Sequence, residues 1–145
     1  MEEHFKQKVK FVYYDLEDNL AVESIWTTKE ADCYRIKNIP FFTPNIAFDD
    51  LISIEHDEGE FFFDDIVEES GNSTLQIIIF NEGDIDEITK KIENFFCGWE
   101  GSHLKGYISI NIPKEIQYLP VKVFLEAEFE KGKLDYKEAC LAHSK

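Results

Sequence analysis

Thr74-Leu75-Gln76-Ile77-Ile78-Ile79-Phe80-Asn81-Glu82-Gly83-Asp84-Ile85-Asp86-Glu87-Ile88-Thr89-Lys90-Lys91-Ile92-Glu93-Asn94-Phe95-Phe96-Cys97-Gly98 is where the hydrophobic period of the chain changes. The run from Thr74 to Phe80 is continuously apolar, the pattern of a strand buried on both faces. After it, Ile85, Ile88, Ile92, Phe95 and Phe96 recur at helical spacing. Asp84 is placed to cap that helix with Glu87 three residues on, and Gly98 to stop it. A buried strand running into an amphipathic helix makes this half α+β.

Upstream the period is two. Val9 to Asp15, Ala21 to Thr28 and Cys33 to Ile36 read as strands, the first ending in the turn residues Glu17-Asp18-Asn19. Pro40 and Pro44 keep Phe41-Phe42-Thr43 out of a helix. Leu51 to Glu55 and Glu60 to Glu69 read as a hairpin turning at His56-Asp57-Glu58-Gly59, where Gly59 is free to take positive φ. Five short strands in the first half predict a small antiparallel β-barrel or coiled sheet. Downstream, Gly106 to Ile112 alternates as a strand. Pro120 opens a second helix with Val121, Phe124, Leu125 and Phe129 on its buried stripe and Gly132 at its end. Leu134 to Ala142 fits a strand or a short helix. The expectation is a β-α-β-α, ferredoxin-like second half packed on the first as one unit over 1–145, all-β over 1–72 and α+β over 73–145.

Charge is segregated along the chain. Fourteen carboxylates and no Lys or Arg lie between Asn38 and Thr89, leaving sixteen acids against fifteen bases elsewhere, for a formal net charge of −15. Such a balance opposes binding to nucleic acid or an anionic membrane and suits a basic protein partner. No apolar run approaches the roughly 18 residues of a membrane-spanning helix, and Met1 to Lys8 has no apolar stretch behind its charges. Cys33, Cys97 and Cys140 are odd in number and widely spaced, as expected of reduced thiols in the cytoplasm.

Candidate sites follow from the same residues. Cys97-Gly98-Trp99-Glu100-Gly101-Ser102-His103 groups a thiol, a carboxylate, a hydroxyl and an imidazole. Cys97 as nucleophile with His103 as base would make a small thiol-dependent enzyme. The opposing reading buries Cys97 and Trp99 in the core and leaves His103 bonding backbone in the turn. A helix C-terminus also raises a thiol pKa rather than lowering it. Cys140-Leu141-Ala142-His143 is a single Cys-x-x-His pair with no second pair, too few ligands for structural zinc. His56, Asp57, Glu58 and Glu60 do not follow calcium-loop spacing. No phosphate loop or nucleophile elbow is present, so no metal or cofactor is expected. In the acidic aromatic stretch Phe61, Phe63 and Ile66 are expected inward. Phe48 or Phe62 would then stand outward as an anchor, with Asp57, Glu58, Glu60, Asp64 and Asp65 steering a basic partner. The plain alternative is a solvated acidic face.

Tyr34-Arg35-Ile36-Lys37-Asn38-Ile39-Pro40-Phe41-Phe42, then Asp57-Glu58-Gly59, Ser70-Gly71-Asn72-Ser73-Thr74, Cys97 to His103, and Tyr136-Lys137-Glu138-Ala139-Cys140-Leu141 resemble, in that order, an uncharacterised bacterial family, domain of unknown function 4265. The resemblance spans nearly the whole chain. It implies a small cytosolic protein and carries over no catalytic residues. It draws notice to Arg35, the sole arginine, whose fork could pair with a carboxylate and fix the barrel to the sheet. The functional expectation is a noncatalytic acidic interaction protein, such as an immunity-type or antitoxin-type inhibitor of a basic nuclease toxin. The alternatives are the thiol enzyme and a small-molecule binding module between the two halves.

Overall fold

A computed structural model describes residues 6–143, so the reading of the N-terminus at Met1 to Phe5 lies outside the described residues. The first half forms five strands, β1 (Lys6–Tyr14), β2 (Leu20–Glu30), β3 (Cys33–Ile36), β4 (Leu51–Asp57) and β5 (Glu60–Glu68). Sequence neighbours pair antiparallel, and β5 returns to β1 to close the sheet on itself. Each hairpin reverses the chain, so the fifth strand of a meander runs in the direction of the first. The closing pair, Lys10 against Phe62, is therefore parallel, a departure from the all-antiparallel expectation.

Val9, Phe11, Ile25, Ile36 and Ile52 fill the interior of this ring, with Phe61, Phe63 and Ile66 packed against them as expected. Phe11 and Phe63 stack with centroids 4.9 Å apart. Phe63 and Ile66 both face inward although three residues apart, because Asp64 is an extra residue. Ile54 pairs with Phe63 but Ser53 pairs with Asp65.

The second sheet holds β6 (Ser73–Ile79), β7 (Gly98–Gly101), β8 (Tyr107–Ile112) and β9 (Leu134–Cys140), in the order β7-β8-β6-β9. Its helices are α1 (Ile85–Asn94) and α2 (Tyr118–Glu130). The chain order is β-α-β-β-α-β, two strands more than the β-α-β-α expectation. β7 was hidden because two glycines in a four-residue segment read as a connection, and β9 settles as a strand.

Alternate residues of the central strands, Leu75, Ile77 and Ile79 on β6 and Ile108, Ile110 and Ile112 on β8, face the helices. Ile88 and Ile92 of α1 and Tyr118, Val121 and Leu125 of α2 complete that layer. Three details of the helices differ from expectation. The Asn81 side chain, not Asp84, caps a short 3-10 turn at Glu82–Asp84 that leads into α1. Phe96 is 79% exposed with φ 64°, so it ends the helix rather than joining the buried stripe. Phe129 on α2 is exposed, and Glu128 is buried beside it.

The opposite face of the second sheet is polar and buried, with Thr74, Gln76, Ser109 and Asn111 pointing toward the ring. Residues 37–50, between β3 and β4, cover it. Ser109 Oγ donates to Ile39 O at 3.2 Å, Thr74 Oγ1 to Ile46 O at 3.1 Å, and Asn45 N to Ala139 O at 2.9 Å. Buried hydroxyls thus satisfy the carbonyls of a connection that would otherwise be orphaned between two cores.

Candidate functional site

The β4–β5 hairpin carries the acidic stretch. Glu55, Asp57, Glu58, Glu60, Asp64, Asp65, Glu68 and Glu69 are all exposed along it. Asp57 pairs with Glu60 around a two-residue turn whose central residues, Glu58 (φ 50°) and Gly59 (φ 82°), are both left-handed. That turn favours Asn, Asp or Gly at its first central position, so a glutamate is held there at a cost of about 1 kcal/mol. Lys10 pairs with Glu60 across the closing strands. Asp64 accepts from Ser53 Oγ at 3.0 Å, and Asp65 Oδ1 accepts from the backbone N–H of Ile66 at 2.8 Å. These two carboxylates therefore also hold the bulge.

The expected anchors are not on the tip. Phe62 is half-buried between Glu55 and Lys10 on the outer wall of the ring. Phe48 sits at the far end of the hairpin, beyond Leu51, under Lys37 Nζ at 5.6 Å from its ring centroid. Six residues of extended chain, about 20 Å, separate Leu51 from Asp57. The acidic span itself divides in two, since Glu82, Asp84, Asp86 and Glu87 lie at the start of α1 on the second sheet.

A second cluster joins the halves. The Glu23 carboxylate of β2, 9% exposed, accepts from Phe41 N at 2.7 Å, Phe42 N at 3.0 Å, Thr43 N at 2.9 Å and Thr43 Oγ1 at 2.8 Å. Three donors meet on Oε1 and one on Oε2, so the carboxylate organises backbone rather than moving a substrate proton. Tyr13, Phe42 and Tyr107 stack beside it, with centroid separations of 5.8 and 5.1 Å. Tyr107 donates its hydroxyl to Phe41 O and is pushed up to about 12 by burial, with the charge of Glu23 adding to the effect. From β7, Glu100 accepts from Ile39 N at 2.9 Å. Burial raises its carboxyl above the ordinary range, the Ile39 N–H opposes that, and Glu23 adds to it. Nothing local in the sequence marks Glu23 as buried, because its donors are twenty residues away.

The thiol pair is not assembled. Cys97 is 5% exposed in the helix-side core, its sulfur contacts only Phe95 O at 3.9 Å among the described hydrogen bonds, and burial pushes it up to about 11. His103 lies on an exposed turn beyond the far end of β7. In that turn Ser102, rather than His103, bonds the backbone: its one hydroxyl proton faces Tyr107 O at 2.8 Å with Leu104 O at 3.1 Å as the other acceptor in reach, and its oxygen accepts from Leu104 N. Cys97 and Trp99 pack with the core as the structural reading expected.

Unforeseen is a Ser73–His143 pair. Pro113 O, 2.9 Å from His143 Nε2, can only accept, so Nε2 carries the proton and Nδ1 accepts from Ser73 Oγ–H at 2.5 Å. The same Oγ accepts from Ala142 N and His143 N, and Ser73 is fully buried. A hydroxyl so enclosed fastens the end of β9 to β6 and offers no nucleophile. Arg35 meets Glu30 with two nitrogens and donates a third to Asp49 O at 2.9 Å. It braces the β2–β3 turn and the connection within the ring, rather than tying ring to sheet. Among the described residues no three His, Cys, Asp or Glu side chains converge as metal ligands, and no helix is long and apolar enough to cross a membrane.

These features define a two-sheet α+β protein with an acidic hairpin at one extremity and a buried polar joint between its halves. The chain belongs to the family described as Domain of unknown function (DUF4265), which matches residues 23–136, from Glu23 of the joint to Tyr136 on β9. It is similar to a hypothetical protein from Neisseria gonorrhoeae of known crystal structure, with 33% identity, a TM-score of 0.85, and 99% of this chain and 100% of that chain covered. No curated protein matches the chain.

Proposed function

We propose that this is a noncatalytic acidic interaction protein, an immunity-type or antitoxin-type inhibitor that covers a basic surface on a protein such as a nuclease toxin. The observation that carries the reading is the crowding of exposed carboxylates on the β4–β5 hairpin, with Glu58 kept at a strained turn position. Left-handed backbone recurs at other non-glycine turn residues, Asp18 and Ala31 among them, so the density of charge at the tip carries the reading. A rigid hairpin presents its charges without an ordering penalty, and the field of many like charges speeds encounter with a basic partner. The contact centres on Asp57, Glu58 and Glu60, with Asp64 and Asp65 along one side and Phe62 on the adjoining wall. Phe48 falls outside it. Three unpaired cysteines suit a reducing cytoplasm. We read the closed ring as a small β-barrel and the β-α-β-β-α-β sheet as ferredoxin-like, a frame that holds the hairpin away from the helices.

The test is capture from the native host's lysate at low salt with wild type and with an Asp57→Lys/Glu58→Lys protein. Those two positions are chosen because Asp64 and Asp65 also hold the bulge. The expected result is a basic protein bound by wild type, released by a salt step and lost from the variant. Equal capture by both proteins, or none by wild type, would overturn the reading.

A further inference from the structure

The outer face of the β1–β2 ribbon is graded along its length. Val9 and Phe11 point into the ring, so alternation turns Lys6, Lys8, Lys10, Val12 and Tyr14 outward on β1. Their cross-strand partners are Thr28, Trp26, Ser24, Val22 and Leu20. Bases thus occupy one end, two apolar pairs the middle, and the turn carrying Glu17 and Asp18 the other end. Val12, Tyr14, Leu20 and Val22 are between 54% and 69% exposed, and Leu16 in the turn is more so.

The arm that carries this face is held in place. The ladders to β3 and β5 reach the ribbon at Thr27 and Lys10, so the apolar pairs stand beyond them on two strands. On the reverse side Tyr13 stacks on Phe42, and Glu23 grips the backbone of Phe41 to Thr43. Asp15 Oδ1 accepts from Glu17 N and Asn19 N, both at 2.9 Å, which fixes the turn. A contiguous apolar face presented rigidly to water marks an interface.

The order of charges selects what covers it. From the midpoint of the two apolar pairs, Lys10 and Lys8 lie about 10 and 16 Å one way and Glu17 and Asp18 about 10–13 Å the other, at about 3.3 Å per residue. A two-fold axis through that midpoint lays the basic end of one copy on the acidic turn of another and stacks the apolar pairs on each other. Parallel packing would set Glu17 and Asp18 against the same residues of the second copy. Lys10 already pairs with Glu60, whereas Lys8 is exposed over the Trp26 ring, so Lys8 is the base that meets the opposing turn. Four side chains this exposed present roughly 500 Å². With Leu16, Trp26 and the charged flanks, two facing copies reach the about 1,200 Å² at which specific interfaces begin.

We propose that the outer face of the β1–β2 ribbon is covered by the same face of a second copy of this chain, packed antiparallel about a two-fold axis. Lys8 of each copy then faces Glu17 and Asp18 of the other, and Val12, Tyr14, Leu20 and Val22 form the dry centre. Asp57 and Glu58 take no part, so this proposal and the hairpin reading fail separately.

Sedimentation equilibrium of the full chain over a concentration series tests it, alongside ¹⁵N NMR of wild type on dilution. The expected result is a monomer–dimer equilibrium with dilution shifts confined to residues 8–26. Tyr14→Ser/Val22→Ser, at exposed positions, should weaken the dimer at least tenfold. Lys8→Glu and Glu17→Lys/Asp18→Lys should each do the same, and the combined Lys8→Glu/Glu17→Lys/Asp18→Lys protein should regain most of the affinity, because the charges again oppose across the axis. A wild type that stays monomeric at every concentration would sink the proposal and leave the face to a different partner. Open-ended assemblies, a dimer indifferent to Tyr14→Ser/Val22→Ser, or a combined charge swap as weak as its parts would refute it equally, and the wild-type dilution shifts decide the matter even where a variant fails to fold.

Discussion

Replacing Glu23 by glutamine tests whether the joint between the halves depends on one buried carboxylate. In wild type four donors from Phe41, Phe42 and Thr43 converge on its two oxygens. Glutamine keeps the shape but offers a single acceptor oxygen. Its best placement puts that oxygen where three donors meet and turns the amide nitrogen toward the N–H of Phe41. One buried N–H is then unpartnered, at about 1–3 kcal/mol, and each remaining bond falls from charge-assisted to neutral, at about 0.5–1 kcal/mol. Removing a buried charge returns part of this, because a carboxylate at 9% exposure carries a desolvation cost of its own. The net expectation is a loss of about 2–4 kcal/mol, or about 5–15 °C in Tm for a chain of this size. Urea unfolding of wild type, Glu23→Gln and Glu23→Asp would measure it, with Glu23→Asp falling between the other two. Hydrogen exchange at Phe41, Phe42 and Thr43 should accelerate in the glutamine variant before the rest of the protein loosens. A Glu23→Gln protein within about 0.5 kcal/mol of wild type, with those amides still protected, would refute the reasoning.

Three further outcomes follow from the same geometry. Because the Glu100 carboxyl is raised in the folded state, its contribution favours folding below the unfolded carboxylate pKa and is lost as pH rises through the folded one. Glu100→Gln, which can still accept from Ile39 N, should therefore be more stable than wild type at pH 7 and lose that advantage in acid; a constant difference across a pH series of melts would contradict this. Gly106 has φ 83°, and a Cβ on it would lie 2.5 Å from Ile79 O, so Gly106→Ala should cost about 2–4 kcal/mol in a urea melt, and a neutral result would show the β8 entry to be more pliant than described. Cys97 is 5% exposed where Cys33 and Cys140 are half-buried, and burial pushes Cys97 and Cys140 alike up to about 11, so Cys97 should be the slowest of the three thiols to react with a disulfide reagent at neutral pH through its lack of access, whereas rapid labelling read by mass spectrometry would revive the thiol-enzyme reading.

Much of the local structure was legible because it rests on short-range rules. Alternation in Val9 to Asp15 and Gly106 to Ile112, the helical recurrence of Ile85, Ile88 and Ile92, and the Asp57-Glu58-Gly59 turn all depend on neighbours within a few residues. The inward set Phe61, Phe63 and Ile66 was also readable, although the extra residue Asp64 that makes it consistent was not. β7 escaped because Gly98-Trp99-Glu100-Gly101 has weak intrinsic strand preference and forms through pairing with β8.

The candidate site divides along the same line. By itself the sequence determined that charge is concentrated in one span, that it is interleaved with phenylalanine, and that its densest part lies on a hairpin, since composition and alternation are properties of the chain alone. Tertiary structure decided which charges act together. It sent the Glu82 to Glu87 acids to α1, put Phe48 at the opposite end of the hairpin from Asp57, withdrew Cys97 into the core and carried Glu23 to donors twenty residues away. Burial and long-range partners fix whether a carboxylate steers a ligand, binds backbone or holds a bulge, and both exist only once the two sheets close on the connection between them.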